Sequence, residues 1–189
     1  LEVLSPIWNQ KPETARRVRQ RIKTVFDYAK AKGWRSGDNP VEGVSKVLPK
    51  HSGKRDHFAA LPYAKVPDFV VTLHDANVSV SIKLAFEFLI LTAARTSEVL
   101  LARWSEIDVE NKLWIVPADR MKAKEEHRVP LSARCLEILN KAQQLFGTGE
   151  YIFPGRSPNQ PLSNMSFLMA LRRMELENMT AHGFRSSFR

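Results

Sequence analysis

The segment Leu91-Thr92-Ala93-Ala94-Arg95-Thr96-Ser97-Glu98 places a single arginine between an apolar run and a turn. On either side of it, the spacing of apolar residues predicts helices over Val80–Thr92 and Ser97–Trp104. An arginine in this position is most often a surface residue with a local ion pair. Its forked guanidinium is also suited to hold two oxygens of one phosphate group, which a lysine does less well.

Glu98 follows Arg95 by three residues, which is about one helical turn. At that spacing its carboxylate can share a face with Arg95 or orient a second cation. The simpler interpretation is a carboxylate near a helix start, where the helix dipole favours negative charge. The sequence leaves both interpretations open.

Two lysines, Lys122 and Lys124, lie on or beside the turn of a predicted β-hairpin with strands Leu113–Pro117 and His127–Leu131. Lysines in turns are usually solvated. A hairpin tip that carries a cation toward a nucleic-acid groove could instead donate a proton to a leaving oxygen. The residues alone leave the choice between the two lysines open.

A third cationic segment is Ala181-His182-Gly183-Phe184-Arg185, in a helix predicted to begin at Thr180. His182 and Arg185 are three residues apart, so both point to one side of that helix, near the positive end of its dipole. A lone His-x-x-Arg is weak evidence. Its position after Arg95 and Lys122 makes it much stronger.

The formal net charge of the 189-residue chain is +9, and most of the excess lies in its first third. Residues 1–57 hold 13 Lys and Arg against 6 Asp and Glu, whereas residues 58–189 hold 16 against 14. A positive surface attracts polyanions and gains free energy by releasing their counterions. We therefore expect a nucleic-acid partner and, because no apolar segment is long enough to span a bilayer, no membrane.

A predicted helix over Trp8–Lys32 carries the densest positive charge. Pro12 is placed to start it, with Thr14 as its cap, and Gly33 is placed to end it. Five of its residues form an apolar stripe: Val18, Ile22, Val25, Phe26 and Ala29. Five cations within eight residues, with no acid among them, favour phosphate contact: Arg16, Arg17, Arg19, Arg21 and Lys23.

The order of elements predicts a mainly α fold with a small antiparallel β-sheet. Residues 1–42 form a helical unit, residues 43–57 a basic linker in which Lys54 and Arg55 are candidates for DNA contact, and residues 58–189 a second domain. Further helices are predicted over Lys65–Asp75, over Ala133–Phe146, and from a cap at Ser163 to Glu177. The lone Cys135 excludes an intrachain disulfide and fits a reducing cytoplasm.

Together these motifs resemble the catalytic domain of tyrosine recombinases and, within them, the P4-like prophage integrases. The resemblance is carried by residues 91–98, 102–108, 114–117, 120–122, 127–132 and 181–185. Residues 6–8, 14–18 and 38–40 resemble the end of that group's core-binding domain. The implied fold is a tyrosine-recombinase catalytic domain preceded by part of a helical core-binding domain.

The resemblance implies a role for each candidate. Arg95 and Arg185 match the two arginines that grip the scissile phosphate, and His182 matches the histidine before the second of them. The family uses no metal ion or other cofactor, so preorganised cations must stabilise the charge that develops on the phosphoryl group.

Lys122, eight positions before Pro130, matches the general acid that protonates the leaving 5′ oxygen, and Lys124 is the weaker candidate. Glu98 matches an acidic residue that supports the site.

The chain departs from the family at the nucleophile, which is a tyrosine well after the His-x-x-Arg motif. The chain ends four residues past Arg185, and its tyrosines all precede the motif: Tyr28, Tyr63 and Tyr151. It also begins without methionine. We therefore expect a fragment that binds DNA, cleaves nothing and lacks the family's N-terminal arm-binding domain.

For the parent protein, the resemblance implies site-specific recombination that integrates a mobile element through a covalent 3′-phosphotyrosine. The expected partners are double-stranded attachment-site DNA, further copies in a tetramer, and DNA-bending and excision factors, in the bacterial cytoplasm at the nucleoid. The alternatives are a non-catalytic DNA-binding regulator derived from a recombinase, which would not need the four catalytic candidates, and a type IB topoisomerase, which a supercoil-relaxation assay would identify.

Overall fold

A computed structural model describes residues 2–49, 60–121, 123–176 and 178–188, which divide into two compact units, Leu1–Asp56 and His57–Arg189. Three candidates named above, Lys54, Arg55 and Lys122, lie outside the described residues. Helices dominate and one three-stranded antiparallel sheet accompanies them, which confirms the predicted fold class. Within these ranges, no helix has both the length and the apolar character needed to cross a bilayer.

The first unit forms helices α1 (Ser5–Trp8), α2 (Pro12–Ala31) and α3 (Val44–Val47) in its described residues. The prediction of one helix over Trp8–Lys32 is wrong at its start, because Trp8 ends α1, and Lys11 rather than Thr14 caps α2. Pro12 takes the first helical position, where its missing N–H costs no hydrogen bond. Gly33 closes the helix as predicted, with a φ of 70°.

The apolar stripe of α2 is only partly as predicted. Ile22, Phe26 and Ala29 are half-buried, and Val18 packs on the small core of this unit. Val25 is 65% exposed. It points about 100° away from Phe26, so these neighbours cannot both lie on the stripe.

The second unit contains helices α4 (Val66–Asp75), α5 (Val80–Thr92), α6 (Thr96–Leu100), α7 (Ala133–Phe146) and α8 (Ser166–Arg173). Strands β1 (Ile107–Asp108), β2 (Leu113–Val116) and β3 (His127–Pro130) pair in chain order. Short 3-10 helices span Tyr63–Lys65, Trp104–Glu106 and Ala118–Arg120, and a longer one spans Ala181–Phe188. The predicted hairpin is confirmed as the β2–β3 pair.

Helix α5 is the centre of this unit. Every residue from Leu84 to Ile90 is buried, which is typical of a helix covered on all sides. The ring of Phe86 lies 4.7 Å from Phe167 of α8 and 5.5 Å from Phe184 of the last 3-10 helix, centroid to centroid. On another side, the rings of Phe88 and Trp114 of β2 lie 5.3 Å apart. Helix α8, the last 3-10 helix and strand β2 therefore all pack against α5.

Two predicted helices end earlier than expected. The helix predicted over Ser97–Trp104 stops at Leu100, because Ala102 accepts a hydrogen bond from the Ile152 N–H (3.0 Å) instead of continuing the helix. The helix predicted from Ser163 to Glu177 begins at Ser166 and ends at Arg173. Glu175 then adopts a left-handed φ of 60°, which is incompatible with a right-handed helix.

A buried carboxylate, Glu87, joins three helices. Its Oε1 accepts from Arg134 Nε of α7 (2.6 Å), and its Oε2 lies 2.7 Å from His74 Nε2 of α4. Burial would raise the pKa of Glu87, but the hydrogen bonds from Arg134 and His74 outweigh it and hold that pKa below its ordinary value. The ionised carboxylate therefore stabilises the folded unit.

We expect Glu87→Gln to lower the free energy of unfolding at pH 7 by about 1.5–3 kcal/mol, the usual contribution of hydrogen bonds to a charged group. Because the folded-state pKa of Glu87 is depressed, this contribution is present above the unfolded-state pKa and is lost as the pH falls through the folded-state value. Urea unfolding of both proteins between neutral and acidic pH measures the difference. Glu137→Gln removes an exposed partner of the same Arg134 (2.9 Å) and serves as the control; an equal loss there would contradict the role of burial.

Candidate functional site

Arg95 occupies the cap position of α6, directly after α5. The turn between the two helices is made by Ala93, which has a left-handed φ of 48° and ends α5. The backbone N–H of Arg95 donates to Glu98 Oε2 (2.9 Å), and its Nη1 donates to Glu98 Oε1 (2.6 Å). Both interpretations left open for Glu98 therefore apply, since it is a helix-start carboxylate and also the partner of Arg95.

Burial differs sharply across this pair. The side chain of Glu98 is 3% exposed, whereas that of Arg95 is 44% exposed. A buried carboxylate fixes the guanidinium from the protein side, and a guanidinium carries more N–H donors than one carboxylate oxygen uses. The arrangement presents a preoriented cation that can take up an anion from solvent.

A second arginine, Arg120, reaches the same helix from the connection between β2 and β3. Its Nη2 donates to the main-chain oxygen of Glu98 (2.6 Å), and its Nη1 donates to Glu106. Glu106 also accepts from Trp114 Nε1 (2.9 Å), and its side chain is 6% exposed. Neither Arg120 nor Glu106 has a role that its own sequence position predicts, although both lie inside the motifs that carry the family resemblance.

The connection between β2 and β3 begins one residue earlier than the sequence predicts, since β2 ends at Val116 rather than at Pro117. It contains the 3-10 helix Ala118–Arg120, after which the Lys124 N–H donates to Met121 O (3.1 Å). Lys124 is exposed and has a left-handed φ of 59°. Lys122 lies outside the described residues. That Lys122 rather than Lys124 is the general acid therefore stays a prediction.

His182 and Arg185 lie on the 3-10 helix Ala181–Phe188, which Thr180 caps by accepting from the Gly183 N–H at its Oγ1 (3.1 Å). A 3-10 helix has three residues per turn, so side chains three apart lie directly above one another. His182 is exposed and Arg185 is half-buried. Both therefore share one side of this helix, as the spacing predicts.

The segment that carries Arg185 is anchored on both sides of it. Phe184 packs against Phe69 with a centroid distance of 4.6 Å, and the Ser187 hydroxyl donates to Leu61 O (2.6 Å). Arg95 follows α5, and Phe184 packs on α5, so the two candidate arginines are positioned by one helix. That they converge with His182 on a single phosphate stays a prediction.

The cations of α2 divide into two sets. Arg16 and Arg17 share Glu13 (3.8 and 3.0 Å), and Lys23 pairs with Asp27 (2.9 Å). The acid-free run in the sequence is therefore flanked by acids one helical turn away. Within the described ranges, Arg19 and Arg21 have no acidic partner within salt-bridge distance.

Comparison with known proteins gives a consistent result. Residues 61–189 match the model of the phage integrase family, and residues 1–44 match that of the phage integrase central domain. Prophage integrase IntZ of Escherichia coli K12 is 37% identical over 178 residues, which cover 94% of this chain and 43% of IntZ. The integrase of Enterobacteria phage P4 is 33% identical over 195 residues, with coverages of 95% and 44%. The chain thus spans less than half the length of these relatives.

Solved structures share the fold. A lambda integrase fragment, crystallised as a dimer bound to a COC′ core site, superposes with a TM-score of 0.73 at 19% identity and covers 97% of this chain and 68% of its own. A Tn1549 transposon integrase in complex with a circular intermediate DNA gives 0.77 at 16% identity, with coverages of 99% and 69%. A lambda integrase tetramer bound to a Holliday junction gives 0.73 at 18% identity, with coverages of 97% and 55%. The chain therefore belongs to the phage integrase family of tyrosine recombinases, in the group of P4-like prophage integrases.

Proposed function

We propose that this chain forms the DNA-engaging body of a site-specific recombinase that integrates a mobile element. The observation that carries the proposal is the pair of Arg95 and Glu98, in which a buried carboxylate orients a half-exposed guanidinium. Such a cation suits a phosphate that gains charge in an in-line displacement, because it needs no reorganisation when the reaction occurs. Membership in the phage integrase family supports the same conclusion.

In the proposed reaction a tyrosine hydroxyl gives up its proton to solvent as its oxygen attacks the scissile phosphorus and forms a 3′-phosphotyrosine, while the bond from phosphorus to the 5′ oxygen breaks. Lys122 supplies the proton that the leaving 5′ oxygen takes up. Arg95, Arg185 and His182 hold the non-bridging oxygens. Since the phosphotyrosine ester keeps the bond free energy, a second 5′ hydroxyl can reverse the step and join a new strand. None of the tyrosines of this chain follows the His182–Arg185 motif, so none is proposed as the nucleophile.

The proposed partner is double-stranded DNA at attachment sites. The net charge of +9 supports it, as do the DNA complexes in which the lambda and Tn1549 integrases were crystallised. The lambda integrase tetramer on a Holliday junction supports a tetramer of the full-length protein as the active assembly. DNA-bending and excision factors, and action at the bacterial nucleoid, are proposed on the family resemblance alone.

In a full-length recombinase that carries this chain, we expect Arg95→Ala and Arg185→Ala each to lower single-turnover DNA cleavage by about 100-fold or more, since each removes a donor to the developing charge. DNA affinity should fall little, because many other cations contact the duplex. Trapping the covalent protein–DNA adduct on a nicked substrate, alongside a gel-shift titration, measures both effects. Arg156→Ala changes an exposed arginine and is the control. Cleavage by either catalytic variant at the wild-type rate would refute the assignment.

For the 189-residue chain, we expect the affinity for duplex DNA to fall steeply with salt, with a slope of about 0.9 per phosphate neutralised. Arg21→Gln should lower this slope by about one. Arg17→Gln should lower it less, because the Arg17 guanidinium already donates to Glu13 (3.0 Å). Both substitutions remove one charge from the same helix, so their difference isolates the local contact. Fluorescence anisotropy at several salt concentrations gives the slopes, and a salt-independent affinity would point to a different partner.

A further inference from the structure

Arg120 connects three separate parts of the second unit. It ends the 3-10 helix Ala118–Arg120, and its guanidinium bridges the main-chain oxygen of Glu98 in α6 (2.6 Å) and the carboxylate of Glu106. The side chain is 14% exposed. A forked guanidinium can make two directed hydrogen bonds at once, which a lysine ammonium does with much less geometric control.

The anchor for this bridge is rigid. Glu106 accepts from Trp114 Nε1 (2.9 Å), and Trp114 is fully buried in the sheet. A buried carboxylate that loses its cation is strongly disfavoured, so the pair of Glu106 and Arg120 has one preferred arrangement. Arg120 is therefore fixed from the sheet side before it reaches α6.

On the other side, Arg120 holds the residue that orients Arg95. α6 is only five residues long, and of the main-chain carbonyls of Ser97, Glu98 and Val99 near its end, those of Ser97 and Val99 accept from the Leu101 N–H. Among these carbonyls, that of Glu98 accepts from Arg120, while the Glu98 carboxylate accepts from both the backbone and the guanidinium of Arg95. The orientation of Arg95 depends on the position of Glu98, which Arg120 ties to the sheet.

We propose that Arg120 is a positioning residue for the recombination reaction. One nitrogen of its guanidinium is held by Glu106, and the other holds Glu98, which in turn orients Arg95. This inference rests on the proposed function. Arg120 does not touch the phosphate in this scheme. Its removal acts on the reaction through the orientation of Arg95, so the defect should depend on the charge of the scissile phosphate.

The test uses Arg120→Met and Arg120→Lys in a full-length recombinase that carries this chain. With protein in excess over DNA, we expect single-turnover cleavage to fall on the order of 10- to 100-fold, as for other losses of catalytic orientation. Arg128→Lys is the matched control, because Arg128 is 65% exposed and pairs with the exposed Glu126 (2.8 Å). Circular dichroism and thermal unfolding report whether each variant folds; Arg120→Lys keeps a charge beside Glu106 and serves where Arg120→Met does not fold.

A second substrate separates positioning from a general structural defect. A methylphosphonate at the scissile position carries no negative charge, so its cleavage needs less stabilisation from Arg95. We expect the ratio of wild-type to Arg120→Lys rates to fall toward one on this substrate, as it should for Arg95→Ala. Two results would overturn the inference and leave the proposed function standing. One is the same ratio of wild-type to Arg120→Lys rates on both substrates, and the other is cleavage of the ordinary substrate by the folded variant at the wild-type rate. Failure of the wild-type protein to cleave the ordinary substrate would overturn the proposed function and the inference with it.

Discussion

The buried carboxylate of Glu98 is the constraint on which the candidate site depends. At 3% exposure it cannot be solvated, so every hydrogen bond it makes must come from the protein, and Arg95 supplies both its main-chain N–H and its guanidinium. The same carboxylate therefore fixes both the start of α6 and the orientation of the candidate catalytic arginine. A solvated carboxylate at the same position would leave the arginine free to sample many rotamers, and a phosphate would have to order it on binding.

Helix α5 connects the pair of Arg95 and Glu98 to other parts of the second unit. Its left-handed end at Ala93 turns the chain so that Arg95 can cap α6, and its buried ring Phe86 receives Phe184 from the segment that carries Arg185. The same helix carries Glu87, which holds Arg134 of α7 (2.6 Å). Because closely packed interiors transmit displacement, a shift of α5 would move both candidate arginines together.

What the sequence predicts well is what local residues determine. The bounds of Val80–Thr92 and Ala133–Phe146 follow from apolar spacing and from the capping serines Ser79 and Ser132, whose hydroxyls accept from N–H groups three residues on. The pair of Arg95 and Glu98 is equally local. Two other features depend on distant residues. The early end of α6 depends on the hydrogen bond from Ile152, and the pair of Arg120 and Glu106 depends on a sheet that brings together residues 14 positions apart. Tertiary hydrogen bonds override local propensity at these places.

The cations of this chain differ in how far the protein has already fixed them. Arg95 and Arg120 are held by carboxylates that are nearly inaccessible, so their positions are set before any ligand arrives. Arg19 and Arg21 of α2 lack acidic partners within the described ranges, and Arg21 is exposed. An ion pair contributes little net charge at long range, so the attraction of a polyanion must come from cations without acidic partners, such as Arg19 and Arg21. Pairing Arg95 with Glu98 therefore reduces long-range attraction at the candidate site and increases control over the geometry of the Arg95 guanidinium, as preorganised stabilisation of charge requires.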